Sequence, residues 1–445
     1  MNYKNKDFVH FHCHSCCSRF DGLAKISNLV LEARKMGFCN LALTDHGNVM
    51  GLIEFIKECS LTKDKKDKPI PYPPIKAICG AEFYLSRKME IGQYDDKKHK
   101  QGIPKQSQPD GRKGNRHINL YAMNFEGYQN LCTLSQKSWT EGFYFDPRID
   151  IELLSKYSKG IMIGSACLSS VVNINLLYGN FDKAKKICGI FNEISNGNFF
   201  LEVMYHGLPE EKAIIPEIFK LSTDLSIPVV ATNDVHYIKK EDAMAQEVLI
   251  MMSSSKCIKD DKRIKFPYNE FYLKSADEMF KMFKHAPHCL SNSIEMANRV
   301  DDKDIVKNLF GGMRLPKFDI PKEFKNTYEY LNKLAWEGLE REGWGKSERH
   351  IEALKKELYD VQVAKDNNDY DFATYFLIVR DYILKAKELG ILTGCGRGSG
   401  YASILLRCLE ITYGLDPIDE NLGLIWERFL GFSNSRFIKE KDFGL

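Results

Sequence analysis

The segment Phe8-Val-His-Phe-His-Cys-His-Ser15 places imidazoles at every second position, His10, His12 and His14. In an extended strand successive side chains alternate between faces. The spacing therefore predicts three imidazoles on one side and Val9, Phe11 and Cys13 on the other. An expression-tag remnant would be contiguous and would lack the alternating apolar residues. Imidazole is the commonest protein metal ligand, so the strand points to a metal.

Further apolar runs end in metal-capable side chains. Leu41-Ala-Leu-Thr-Asp-His46 ends in Asp45 and His46, and Ala77-Ile-Cys-Gly-Ala-Glu82 in a carboxylate. Arg116-His117-Ile-Asn-Leu-Tyr121 opens with histidine, and Gly160-Ile-Met-Ile-Gly-Ser-Ala-Cys167 closes on a thiol. Ile227-Pro-Val-Val-Ala-Thr-Asn-Asp234-Val-His236 ends in Asp-x-His. Runs of this kind read as parallel strands buried on both faces, and α/β barrels carry their chemistry at the strands' C-terminal ends. Caps and turns use the same residues, so one such run is weak evidence. Five together argue for a shared site.

Segments of helical period alternate with these strands over the first ~285 residues. Lys25–Met36 has an apolar stripe and stops at Gly37; Phe181–Ile194 and Glu210–Leu225 follow the same logic. Residues 326–367 read as mostly helical, and Tyr375–Leu389 as an amphipathic helix. The reading is an α/β domain over 1–285 and a second region over 286–445. The boundary falls near 285–300.

No stretch of ~18 apolar residues suggests a membrane span, and the N-terminus lacks the apolar core of a signal peptide. The thirteen scattered cysteines read as reduced thiols of a cytoplasmic protein. Cys13-x-x-Cys16 has no second such pair, which argues against a four-thiolate zinc site. A net charge of +3 does not by itself imply nucleic acid. Positive charge is local: Lys97–Arg116 carries seven Lys/Arg against one Asp, within a polar insert over 86–116. A mobile solvated loop and a nucleic-acid contact both fit that insert.

Phe8–Ser15, Leu41–Asn48, Gly80–Glu82, Glu202–Glu210 and Ala231–Tyr237 together resemble the PHP (polymerase and histidinol phosphatase) domain. Glu126–Leu131, Glu141–Arg148 and Phe271–Met279 narrow the resemblance to the PHP domain of bacterial or phage DNA polymerase III alpha subunits, the C-family replicative polymerases. Tyr375–Asp381, Gly396–Ser399 and Glu427–Leu430 extend it into the polymerase region. The resemblance implies a distorted β/α barrel, a mainly helical linker and the start of an α+β palm.

It also implies a metal set of His12, His14, Asp21, His46, Glu82, His117, Cys167, Asp234 and His236, with His10 and His206 at further family positions less tied to metal. Every position carries a competent ligand, and the nitrogen-rich mixture suits zinc or manganese. The family's proposed reaction is removal of nucleotides from a DNA 3′ end; a purely structural cluster is the alternative. A free-standing PHP phosphatase would not need residues 292–445. Primer-template DNA, dNTP, a proofreading exonuclease and a sliding clamp are the implied partners. The PHP domain would serve either as an enzyme or as a scaffold that docks the exonuclease.

In Gly394-Cys-Gly-Arg-Gly-Ser-Gly400 the glycines let backbone N–H groups approach phosphate oxygens, and Arg397 adds a forked cation. By the resemblance Gly396, Arg397, Gly398 and Ser399 hold the nucleotide triphosphate. The segment Ala402–Leu409 would add a helix N-terminus aimed at it.

The family's polymerase chemistry needs an Asp-x-Asp pair after Glu427–Leu430, to hold magnesium. Here Ser433–Leu445 offers Asp442 alone, so no residue is assigned to catalysis of polymerisation. The expectation is an N-terminal portion that does not polymerise DNA by itself and awaits a C-terminal polymerase fragment. Cys16 and Cys17 also stand where relatives carry acidic or aromatic residues, and Tyr401 replaces a small one.

Overall fold

The computed structural model describes residues 7–64, 66–86, 115–254, 256–260, 268–311, 315–368, 371–396 and 398–430. Most of the basic insert, Arg397 and the segment around Asp442 lie outside them. The chain forms two compact units, Met1–Gly311 and Gly312–Leu445.

The first unit is built on β1 (Asn40–Leu43), β2 (Lys76–Leu85), β3 (Arg116–Ala122), β4 (Arg148–Ile149), β5 (Ile161–Gly164), β6 (Phe199–Val203) and β7 (Val229–Ala231). Their order is β1-β2-β3-β5-β6-β7, with β4 on β2. The expected parallel sheet is corrected in one respect: β3 runs antiparallel to both β2 and β5. Leu85 pairs with Arg116, so the chain departs and returns at one edge and needs no crossover helix.

The sheet is curled. Ala42, Ile78, Tyr121, Met162, Phe200 and Val230, one from each of six strands, join Val9 and Phe11 in a single apolar cluster. Six strands bring one side chain each together only when their shared face turns inward. Their sequence neighbours, such as Leu120, Ile163, Leu201 and Val229, pack outward beneath the surrounding helices. Segment 8–14 stitches the two edges together. Ala42 N donates to His10 O on the β1 side, while Val235 N donates to His12 O just beyond β7.

The units divide later than the composition shift suggests. The helices His288–Asn298 and Asp302–Phe310 belong to the first unit because Met296 and Ala297 cap the inner cluster. Asn292 Nδ2 also donates to Val229 O, and Lys76 Nζ to Ala297 O.

The second unit packs the helices Thr327–Arg341, Glu348–Asn368, Phe372–Glu388 and Ile404–Cys408 around Leu331, Leu339, Leu358, Phe376, Leu405 and Trp426. Its described residues are helices and turns, and no strand lies among them. Among the described residues of the whole chain, no helix is long and apolar enough to cross a membrane.

Candidate metal centre

The alternation of segment 8–14 slips by one residue between Phe11 and His12. Val9 and Phe11 face the inner cluster, whereas Phe8 and Cys13 belong to the outer one. His12 points inward, against Glu202 and Asn119, which share the phase of Phe200 and Tyr121. The expected single face of three imidazoles therefore breaks up. His10 lies outward against Phe8 and Phe38, and its Nε2 donates to Lys274 O at 2.7 Å. Burial pushes its pKa down to about 4. His206 is likewise engaged elsewhere, by Glu211 through Nδ1 and by Asn233 O through Nε2.

The other nine expected residues converge. His12 Nε2, His14 Nε2 and Asp234 Oδ1 lie 3.1–3.2 Å from one another. Glu82 spans the centre, with Oε2 2.6 Å from His46 Nδ1 and Oε1 2.9 Å from His117 Nδ1. Cys167 Sγ stands 3.3 Å from His117 Nδ1. Asp21 Oδ2 lies 3.2 Å from His46 Nε2 and 3.5 Å from His236 Nε2. Three groups of ligand atoms close enough to share an ion result: His12–His14–Asp234, His46–Glu82–His117 and His14–His46–His236.

The tautomers decide what these atoms can do. His12 Nδ1 donates to Glu202 Oε2 at 3.0 Å. His14 Nδ1 lies 3.0 Å from Ser18 Oγ, whose own proton goes to Asp45 Oδ1, so His14 is the donor. His236 Nδ1 donates to the Asp234 carbonyl at 2.8 Å. Each Nδ1–H is thus held by a protein acceptor, which leaves each Nε2 as a lone pair facing the centre. When these imidazoles are neutral, His12 Nε2, His14 Nε2 and Asp234 Oδ1 oppose one another with no proton between them; a proton on His12 Nε2, which the carboxylates favour, or a cation relieves this. Asp234 Oδ1, Glu82 Oε2 and His46 Nδ1 are buried without a hydrogen-bond partner. Buried lone pairs left facing one another are costly, and a cation among them removes that cost.

The charges agree. Burial opposes ionisation of Asp21, Glu82 and Asp234, yet facing histidines hold all three well below the usual carboxylate range. Burial likewise opposes a charged His12, yet Asp234, Glu202 and Glu82 raise its pKa well above the usual value. Burial and the neighbouring His46 and His236 push His14 down to about 3. The carboxylates demand positive charge that the histidines cannot all carry. Asp234 itself sits at φ +45°, a left-handed conformation rare outside glycine.

Sequence reasoning passed over the support residues. Glu202 accepts from His12, Asn119 Nδ2, Ala166 N and Thr232 Oγ1, which uses all its lone pairs. Its signal was a carboxylate inside the apolar run Phe199-Phe-Leu-Glu-Val203. Cys16 is exposed and belongs to none of the ligand groups.

In the second unit Gly396 (φ +122°) and Gly398 (φ +60°) adopt backbone conformations that side chains disfavour. Tyr401 packs on the loop, 3.4 Å from where a Gly396 Cβ would stand. The expected helix N-terminus for phosphate is corrected. Ile404 N and Leu405 N donate to the buried Glu357 carboxylate at 3.0 and 2.9 Å, and Ser403 Oγ caps Leu406 N. Those amides are already spent.

The PHP domain family matches residues 10–206, and the bacterial DNA polymerase III alpha NTPase domain matches residues 329–437. DNA polymerase III subunit alpha of Borreliella burgdorferi is 35% identical over 445 residues, 100% of this chain and 35% of that protein. The chain carries a PHP domain and a segment of the bacterial DNA polymerase III alpha NTPase domain, and is similar along its whole length to DNA polymerase III alpha subunits. The Treponema pallidum subunit is 36% identical over 439 residues, 98% of this chain and 34% of that one. The chain thus spans about a third of the length of the curated relatives it matches. Among solved structures, an amidohydrolase from Chromobacterium violaceum aligns with TM-score 0.31 at 12% identity, over 51% of this chain and 87% of that one.

Proposed function

We propose that the PHP domain of this chain is a metal-dependent phosphoesterase that removes nucleotides from the 3′ end of DNA, within a DNA polymerase III alpha subunit. The observation behind this reading is the convergence of three potential metal-binding atoms, His12 Nε2, His14 Nε2 and Asp234 Oδ1, within 3.2 Å of one another. His12, His14 and Asp234 would hold one cation and His46, Glu82 and His117 another, with Asp21, Cys167 and His236 completing the set. The nitrogen-rich donors suit zinc or manganese. Bound there, such ions supply an activated water and neutralise charge on the leaving oxygen. The residues' own work is orientation: Glu202, Ser18 and the Asp234 carbonyl fix the imidazoles so that their lone pairs face inward.

The second unit is proposed to contribute to binding of dNTP and primer-template DNA through the 394–400 loop, with magnesium as the polymerase cofactor. A proofreading exonuclease and a sliding clamp are the proposed partners. The free state of all thirteen cysteines fits the cytoplasm.

The test is incubation of the metal-loaded chain with a 5′-labelled single-stranded oligonucleotide, beside Asp234→Asn. Stepwise shortening from the 3′ end that the variant loses supports the proposal. Intact oligonucleotide with metal still bound would make the cluster structural and refute it.

A further inference from the structure

We infer that the exposed rings of Trp139, Phe143 and Phe145 form a stacking platform for the unpaired bases of single-stranded DNA whose end enters the metal centre. The inference rests on the phosphoesterase reading for its location, and on separate observations for its chemistry.

Three large rings within seven residues face solvent, Trp139 at 51%, Phe143 at 46% and Phe145 at 78%. Trp139 lies in the last turn of the helix Phe125–Thr140 and the two phenylalanines on the loop after it; large apolar rings grouped and exposed in this way mark a contact. These rings are also held in place. Trp139 Nε1 donates to Gly47 O at 2.8 Å, which fixes the indole. Phe143 stacks on it at 5.5 Å, with the planes 16° apart. Phe145 crowns a tight reversal closed by Tyr144 N to Asp146 O at 3.1 Å. Its φ of +61° is rare for a bulky residue, and such strain clusters at ligand clamps. Arg148 secures the base of the loop: its Nε donates to Gly142 O, and its guanidinium lies over Tyr144.

The location selects the ligand. Gly47, which anchors Trp139, directly follows His46. The next residue after Phe145, Asp146, lines a cavity of about 250 Å³ together with Tyr84, Arg116 and His117. Leu168, Ile174 and Leu177 give that cavity an apolar wall. A cavity below the roughly 300–1,000 Å³ of drug-sized sites suits one nucleotide rather than a chain. Arg116 lines it beside Asp146 and Glu210, and a guanidinium can meet a phosphate with two N–H groups. Bases behind the terminal one would then lie over the aromatic loop. Stacking tolerates every base and fails for paired ones, so it serves a sequence-indifferent enzyme acting on a single-stranded end. A protein seated on the same rings would have no use for the adjoining arginine and cavity.

The test uses the whole metal-loaded chain and dT12 with phosphorothioate linkages and a 5′-fluorescein label, read by anisotropy. The Phe143→Ala/Phe145→Ala pair is expected to weaken binding about tenfold or more. Phe143→Tyr/Phe145→Tyr is expected to restore it to within about twofold, because tyrosine also stacks. Duplex dT12·dA12 is expected to bind about tenfold more weakly than dT12. Unchanged binding by the alanine pair, with thermal unfolding like the parent's, overturns the platform; so does failure of the parent chain to bind dT12. The two readings separate cleanly. Binding through the rings without shortening of an ordinary oligonucleotide sinks the phosphoesterase and leaves the platform standing. Shortening that the alanine pair does not impair sinks the platform alone.

Discussion

Glu202→Gln is a one-atom change that should cost metal affinity without touching a ligand. Glu202 Oε1 accepts from Asn119 Nδ2 at 2.8 Å and from Ala166 N at 2.9 Å. Oε2 accepts from His12 Nδ1 and Thr232 Oγ1, each at 3.0 Å. A backbone N–H cannot turn, so the glutamine oxygen must take the Ala166 side. Its NH2 then faces His12 and Thr232. The threonine hydroxyl can rotate to accept. His12 can accommodate a donor only by accepting at Nδ1, which moves its proton to Nε2, between His14 and Asp234. One ligand lone pair is lost. Residues that orient metal-bound histidines are typically worth about 10–100-fold in affinity, or about 1.4–2.7 kcal/mol. The assay is competitive titration of zinc against a chromophoric chelator, with circular dichroism to verify the fold. Thr232→Val, which removes one donor and leaves the His12 tautomer intact, should change affinity less than about threefold. A folded Glu202→Gln protein that binds zinc within about twofold of the parent would show that the tautomer argument is wrong.

His206→Gln should retain the full metal complement while His12→Gln loses metal, as measured by elemental analysis after gel filtration, because His206 is tied to Glu211 and Asn233. Chelation should lower the midpoint of thermal unfolding by several degrees, since bound ions stabilise the native state alone; no change would mean the cluster holds no ion. Burial pushes the Glu357 carboxyl up to about 8 against three hydrogen-bond donors. The folded state then binds more protons than the unfolded one between pH ~4.5 and ~8. Local stability around Ile404–Cys408 should therefore fall, by on the order of a few kcal/mol, as pH rises through that window. Amide exchange corrected for intrinsic rates measures it, and stability that rises instead would contradict the burial argument. Exposed Cys16, Cys39, Cys257 and Cys395 should react with a disulfide reagent at pH 8. Cys188, Cys289 and Cys408, pushed up to about 12 chiefly by burial, should wait for unfolding, and their early modification would contradict the packing.

The apolar runs at 41–43, 77–82, 161–164 and 229–231 were legible because buried strands leave a dense local signature, and each leads to a residue of the candidate metal centre. Helices with clear stripes, such as Ile26–Met36 and Phe181–Ile194, were found for the same reason. His10 was misread because a one-residue slip in alternation changes which face a side chain takes without changing composition. The reversed direction of β3 was hidden because pairing is not a local property. The phosphate reading of the Ile404 helix failed on Glu357, a partner 47 positions away in the chain. Glu202 was visible only as an oddity, a charge in an apolar strand whose partners no pattern reveals.

Segment 8–14 gives the molecule an assembly order. Val235 donates its N–H to His12 O and accepts from His14 N, across most of the first unit, while His10 O accepts from Ala42 N near at hand. A ribosome must therefore deliver residue 236 before the barrel can close, and the histidines made first wait for the aspartate made last. Contacts of such long sequence separation form slowly. Until then the early half carries the unpaired far side of segment 8–14 and half of the candidate metal centre. A nascent chain of this kind has two reasons to need protection: an edge open to aggregation and a set of imidazoles open to the wrong ion.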